Sequence, residues 1–174
     1  MNEIIKAMLD RRSCRSYKEE QVKEETLQQI LLAGTYAASG MGRQAAKIVV
    51  VQDRQTIEVL RKMNAAIMGT PDADPFYGAP TVCVVLADPE VCTWNEDGSL
   101  VMGNLMLAAS TLGVASCWIH RAKEEFDSPE GKALLKKWGI DERYRGIGHC
   151  ILGYAADPLP QARPRKEDYI VRIL

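Results

Sequence analysis

Apolar residues recur at helical spacing within the first ten positions, where Ile4, Ile5, Met8 and Leu9 form a stripe that predicts an amphipathic helix. The same period returns from Glu24 to Ala38 through Leu27, Ile30, Leu31 and Ala37, and it breaks at Ser39, Gly40 and Gly42 into a glycine-bearing loop. The pattern then changes. Lys47 to Val51 is a short β-branched run that predicts a buried strand, followed by a charged amphipathic helix over Arg54 to Ala66. Gly69 to Pro80, rich in Pro, Gly and Asp, reads as loop. Thr81 to Ala87 is a second apolar strand, closed by Asp88 and Pro89, and a loop follows around Asn95 and Asp97. From Leu100 to Leu112 only Asn104, Ser110 and Thr111 are polar, which predicts a helix buried on every side. In a chain this small, such a helix is either a sandwiched central element or part of a subunit interface. Ala115 to Ile119 and Gly146 to Gly153 give a third and a fourth strand. Between them Ser128 to Trp138 reads as a helix, with Pro129 in its first turn and Gly139 as its stop, and Tyr169 to Leu174 reads as a short terminal strand.

No repeat, low-complexity tract or linker divides this series, so a single domain over residues 1–174 is expected. With 47% hydrophobic and 26% charged residues in 174, the chain has the composition of a globular domain with a real core. It lacks an apolar run long enough to span a bilayer and shows no signal-peptide pattern at its start, which leads to the expectation of a cytoplasmic protein without a membrane partner. Its five cysteines are odd in number and contain no Cys-x-x-Cys pair, so neither a disulfide framework nor a thiolate zinc site is expected. A pI near 6.2 without an extended basic face gives nucleic acid no footing.

Against a net charge of -1, two local cation clusters need a local reason. Arg11, Arg12, Ser13 and Arg15 crowd the loop after the first helix, and Arg163, Arg165 and Lys166 crowd the tail. Guanidinium forks grip phosphate bidentately and a serine hydroxyl adds one more hydrogen bond, so an anionic ligand is the simplest explanation. The ligand is not a dinucleotide on a Rossmann domain. Neither Gly40-Met41-Gly42 nor Gly146-Ile147-Gly148 extends into Gly-x-Gly-x-x-Gly, and there is no Walker lysine loop.

In chain order, the basic-Ser-basic loop is followed by the Ser39 to Gln44 loop, Gly78-Ala79-Pro80 before a strand, and the apolar Gly103 to Ala109 segment. Leu112-Gly113, Cys117-Trp118-Ile119, Ile151 to Tyr154 and Arg163 through Lys166 complete the series. Together they resemble the FMN-dependent nitroreductase family over essentially the whole chain. The resemblance implies an α+β fold, a central, mostly antiparallel sheet flanked by helices, in an intertwined homodimer with FMN at the interface.

Carried over by position, the resemblance gives Arg11, Ser13 and Arg15 the FMN phosphate and ribityl chain, with Arg12 contributing beside them. Ser39, Arg43 and Gln44 match a loop that reaches across the dimer to the other subunit's flavin. Cys117, Trp118 and Ile119 match the strand end beside the flavin, and Arg165 and Lys166, with Arg163 nearby, complete the phosphate site. The chain departs from the family pattern at three places. Gly42 stands where Asn is usual, Ala45 and Ala46 stand where Pro-Trp is usual, and His120 stands where a glycine is expected.

The implied activity is two-electron reduction of a nitroaromatic, quinone or similar conjugated acceptor by NADH or NADPH. The flavin carries that chemistry, so no catalytic side chain is required. Arg43 and Gln44 are the candidate donors to the pyrimidine edge of the ring, where reduction places negative charge. A non-catalytic protein that stores, senses or shuttles FMN would need the same phosphate grip and stays open as an alternative. His120 is either a proton donor at the acceptor or a surface cap. His149, inside a strand, reads as structural, and a metal site of Cys117, His120, His149 and Cys150 has no usual ligand spacing. The acid pairs Glu19-Glu20 and Glu124-Glu125 read as solvated charge.

Overall fold

The computed structural model describes residues 1–173. Helix α1 (Glu3–Asp10) begins where the Asn2 side chain accepts from the Ile4 N–H at 2.8 Å. The apolar stripe is present, but all four of its residues are at least half exposed on the single chain. Helix α2 (Glu24–Thr35) buries Leu27 and Ile30, and a single turn at Gly40–Gly42 follows it. Strand β1 (Ala46–Val51) leads to helix α3 (Arg54–Met68), capped by Asp53 accepting from the Thr56 N–H and stopped by Gly69 at φ 79°. Strand β2 (Thr81–Ala87), helix α4 (Trp94–Thr111) and strand β3 (Ala115–Ile119) come next. Helices α5 (Ala122–Asp127) and α6 (Pro129–Lys137) and strand β4 (Arg145–Gly153) complete the regular elements.

The sheet has the order β1-β2-β4-β3 and every neighbouring pair is antiparallel. Period-2 alternation sends successive side chains to two separate cores. On one face Cys83, Val85, Cys150 and Leu152 meet Leu27 and Ile30 of α2 and Met102 and Leu105 of α4. On the other, Val82, Val84, Leu86 and Ile151 meet Leu60 of α3, Phe126 of α5 and Leu135 of α6. Each such wholly buried Leu, Ile or Phe contributes about 1.5–3 kcal/mol, which makes this two-sided packing the main source of stability. All seven residues of β2 are buried because it has strands on both sides and helices on both faces. Within β4, Ile147 is the extra residue of a bulge opposite Val85 and Leu86. Beside it, a Cβ at Gly146 would collide with the Ala122 carbonyl, so this glycine lets α5 start directly against the sheet.

Several expectations change. Strand β1 is an edge strand with only Val51 buried, because among the described residues no strand pairs with its outer side. Helix α4 starts at Trp94, so Asn95 and Asp97 lie in its first turn and not in a loop. It is also not buried all round: Val101, Met102, Leu105 and Ala109 face the core, while Leu100 and Gly103 are exposed. Helix α5 occupies a stretch with no predicted element, and there Glu124 is solvated but Glu125 is wholly buried. The predicted strand at Tyr169 to Leu174 is absent among the described residues. A single turn spans Glu167–Tyr169, Ile170 has extended backbone, residues 170–173 are exposed without strand pairing, and Leu174 lies outside the described residues.

Candidate functional site

The loop after α1 is fastened to the sheet like a short extra strand. Ser13 bridges to Ser116 of β3, the Cys14 N–H donates to the Ser116 carbonyl at 2.9 Å, and Tyr17 bridges to Ala155 beyond β4. Tyr17 reinforces the turn by donating from its hydroxyl to the Cys14 carbonyl at 3.1 Å, and burial holds that phenol far above its ordinary pKa. The backbone under Arg11, Ser13 and Arg15 is therefore fixed against β3. Arg12 is engaged elsewhere: its Nη1 donates to the Leu9 and Arg11 carbonyls at 2.6 and 2.7 Å, closing the C-terminal end of α1. Arg11 keeps one nitrogen, Nη1, buried and without an acceptor.

Two cavities meet at this loop. One of about 200 Å³ is formed by Ser13 to Ser16 and the Asp157 to Pro160 segment. The other, of about 300 Å³, lies between the end of β3 and the loop after α3, lined by Cys117 to Arg121, Met68, Asp74 and Tyr77. Arg15 lines both. Cys117 stands at this junction with the Arg15 and Arg11 charges near it, yet burial dominates and raises its thiol above the ordinary range. Burial also pushes Cys83 up to about 12 and raises Cys150 well above an ordinary thiol. All three stay protonated at neutral pH and serve as packing groups, not nucleophiles.

The end of β3 is held from beneath. Asn64 of α3 is wholly buried and donates to the His120 carbonyl at 2.8 Å and to Glu125 Oε1, while accepting from Arg121 Nε at 2.9 Å. Glu125 Oε1 also lies 2.9 Å from Nε2 of His149, so the strand histidine is structural, and Phe76 and Phe126 pack against its ring. The left-handed backbone at this strand end, the conformation open to glycine, falls on Arg121 at φ 79° and not on His120. His120 itself is exposed beside the cavity. Sequence reasoning passed over Asn64 and read Glu125 as solvated charge; the available signal for Asn64 was an amide one helical turn after Leu60, on the buried stripe of α3.

The Ser39 to Gln44 loop is built on Asp97. The Ser39 hydroxyl and the Gly40 N–H each donate to the Asp97 carboxylate at 3.0 Å, and the Gln44 N–H donates to Ser39 Oγ at 2.7 Å. Ser39, Gln44, Ala45 and Ala46 line a separate cavity of about 310 Å³ with Leu31, Ile48 and Val101. Arg43 is exposed. Arg15 is not among the residues that line this cavity. Arg163, Arg165 and Lys166 are also exposed, and among the described residues no hydrogen bond or ion pair joins their side chains to the Arg11 to Arg15 loop. The structure thus brings Ser13, Arg15, Cys117, Trp118, Ile119 and His120 together, with Arg11 near Cys117, and leaves Arg12, Ser39, Arg43, Gln44, Arg163, Arg165 and Lys166 apart.

Comparison with known proteins gives this arrangement a lineage. The model of the nitroreductase family matches residues 8–154. The FMN reductase [NAD(P)H] of Bacillus subtilis is 38% identical over 179 residues, covering 90% of this chain and 68% of its own length. A nitroreductase from Bacteroides fragilis, solved with bound FMN, superposes with a TM-score of 0.91 at 30% identity over the full length of both chains. A second FMN-bound nitroreductase, from Desulfitobacterium hafniense, gives a TM-score of 0.89 at 29% identity over the same full coverage. With the family match covering most of its length and the sheet, helices and loop anchors described above, this chain belongs to the nitroreductase family.

Proposed function

We propose that the chain, working as one domain over residues 1–174 and as a homodimer, binds FMN and uses NADH or NADPH to reduce a conjugated acceptor such as a nitroaromatic or a quinone. The observation that carries this reading is the place of Arg15, on the wall shared by a small cavity that also holds Ser13 and Ser16 and a larger one against the end of β3. A ligand with a phosphate at one end and a planar ring at the other fits that pair of cavities. The unpartnered buried Arg11 Nη1 fits as well, since an anion nearby offsets a charge that the protein leaves uncompensated.

Bound FMN supplies the hydride and electron transfer, so the protein's own groups bind, orient and keep one face accessible. Ser13 and Arg15 hold the phosphate on a loop pinned to β3. Arg163, Arg165 and Lys166 close over it from the tail. Cys117, Trp118 and Ile119 form the floor beneath the ring, kept in place by Asn64. Arg43 and Gln44 approach the ring edge from the other subunit. Support for that division comes from the separation of the Ser39 to Gln44 cavity from the Arg15 cavities within one chain. The exposed stripe of α1 supports the dimer, because a solvated row of Ile4, Ile5, Met8 and Leu9 is apolar surface that a second copy would cover.

The test is spectroscopic. Purified protein reconstituted with FMN should show oxidised-flavin bands that bleach on anaerobic addition of NADH or NADPH and return on addition of para-benzoquinone. Protein that retains no FMN, or bound FMN that the reduced nucleotides leave oxidised, rejects the reading.

A further inference from the structure

The β3 end carries a cation that this reading leaves unused. Arg121 sits in left-handed backbone at φ 79°, and its side chain is anchored at one point, the 2.9 Å bond from Nε to Asn64 Oδ1. Asn64 is in turn fixed to the His120 carbonyl and to the buried Glu125–His149 pair. The two terminal nitrogens of Arg121 make no hydrogen bond and no ion pair among the described residues. Neither is among the buried polar atoms left without a partner, so both are open to solvent.

In the 300 Å³ cavity at the end of β3, whose Cys117 to Ile119 side is the proposed floor of the flavin ring, Arg121 lines the wall with Met68 and Tyr77, which supply apolar and aromatic surface for an acceptor ring beside it. The one acid on the wall, Asp74, is engaged: its oxygens accept from the Phe76 and Gly78 N–H groups at 2.9 and 2.6 Å. The second cation, Arg15, also lines the phosphate cavity. A fixed, half-solvated guanidinium with both terminal donors free, beside flat apolar walls, is suited to a planar aromatic ring bearing a carboxylate.

We propose that Arg121 is a specificity-determining residue that, held by Asn64, binds the carboxylate of an aromatic acceptor and so favours aromatic acids over neutral compounds of the same shape. This rests on the acceptor-reducing function proposed above. The comparison to make is para-nitrobenzoate against para-nitrobenzyl alcohol, with FMN-loaded parent protein and the Arg121→Gly variant. Glycine takes the left-handed conformation freely, so this variant keeps the backbone. The ratio of kcat/KM for the acid over the alcohol should fall about tenfold or more in Arg121→Gly, mainly through KM, as expected for loss of a charge-assisted contact. Calorimetric titration of the oxidised protein should show the same loss of affinity for the acid. Asn64→Ala, which frees the guanidinium without removing it, should produce a smaller fall in the ratio. An unchanged ratio, or equal losses for both compounds, overturns the assignment, as does a shift in the flavin potential with the ratio intact. If the flavin of the parent is not reduced by NADH or NADPH, or is not reoxidised by para-benzoquinone, the proposed function fails, while the titration still decides whether Arg121 binds the acid.

Discussion

His149 Nε2 lies 2.9 Å from Glu125 Oε1, and both side chains are wholly buried beneath the end of β3. The same carboxylate oxygen accepts from Asn64, whose amide also holds the His120 carbonyl. Buried polar groups are stabilising only while each has its partner, so truncating one strands the others. Glu125→Ala should destabilise the protein by about 3–5 kcal/mol and lower its melting temperature by about ten degrees. Thermal unfolding of Glu125→Ala, His149→Ala and the double variant measures this. The double variant should be less destabilised than the sum of the singles, and a strictly additive cycle would show that the two side chains do not interact.

The phosphate assignment leads to a binding measurement. Arg15 is exposed at the meeting of two cavities, and its backbone is positioned by the neighbouring Ser13–Ser116 bridge. Arg15→Ala removes one charge-assisted contact of about 1.5–3 kcal/mol and should weaken FMN about tenfold to a hundredfold, with stability nearly unchanged. Fluorescence titration of apoprotein with FMN gives the affinity directly. A variant that binds as tightly as the parent removes Arg15 from the phosphate site.

The parts of the fold that were legible in the sequence were those whose cause is local. Ser128 accepting from the Gly131 N–H, Pro129 at the first helical position and Gly139 at φ 69° fix α6 from its own residues. Strand β2 is visible as an unbroken apolar run for the same reason. What was not legible depends on tertiary partners. Glu125 looks like its solvated neighbour Glu124 until α5 packs on β4 and brings His149 to it. Asn95 and Asp97 read as loop residues, yet Asp97 is buried because the Ser39 to Gln44 loop uses its carboxylate as an anchor. In the site, the loop joined to β3 was readable from its basic residues. The left-handed backbone at Arg121 was not legible, because backbone sign there is set by the turn into α5 and not by residue type.

A change on α1 separates subunit contact from folding. Leu105 of α4 is wholly buried within its own chain, so a charge there disrupts the core whether or not a dimer exists. Ile5 and Leu9 of α1 are about half exposed and contribute nothing to either core. Ile5→Asp combined with Leu9→Glu should therefore leave the secondary structure intact while converting the proposed dimer to monomer and lowering FMN retention. Sedimentation velocity with circular dichroism is the measurement. A double variant that still sediments as a dimer takes the α1 stripe out of the interface.

Acid sensitivity has one specific contributor. Arg145 Nε donates to Asp127 Oδ1 at 3.0 Å and its Nη2 pairs with Oδ2, which holds the Asp127 carboxyl below its ordinary pKa. A depressed folded-state value means the stabilisation is complete above the unfolded value, near pH 4, and disappears as pH falls through the folded value. Both side chains are about one-third exposed, so solvent screening limits the gain to about 0.5–1 kcal/mol. Asp127→Asn should be less stable than the parent by that amount at pH 7 and equal to it at about pH 2. Denaturant midpoints across that range test this, and a gap that persists in acid would mean the loss is not electrostatic.

His120 is the remaining candidate for chemistry beyond the flavin itself. Its carbonyl is fixed by Asn64 at 2.8 Å, but its ring is exposed beside the 300 Å³ cavity, and among the described residues no side-chain hydrogen bond holds it. The backbone role and the ring are therefore separable, since substituting the ring leaves the carbonyl anchor in place. Reduction of a quinone or nitro group requires proton delivery, and a positioned acid contributes about a hundredfold to such a step. His120→Ala should accordingly slow the reaction of reduced protein with para-benzoquinone by about that factor and flatten its dependence on pH. FMN affinity and the rate of flavin reduction by NADH or NADPH should stay close to the parent's. Stopped-flow mixing of pre-reduced protein with the quinone across pH resolves the two half-reactions. Superimposable profiles for variant and parent would leave His120 with its backbone role alone.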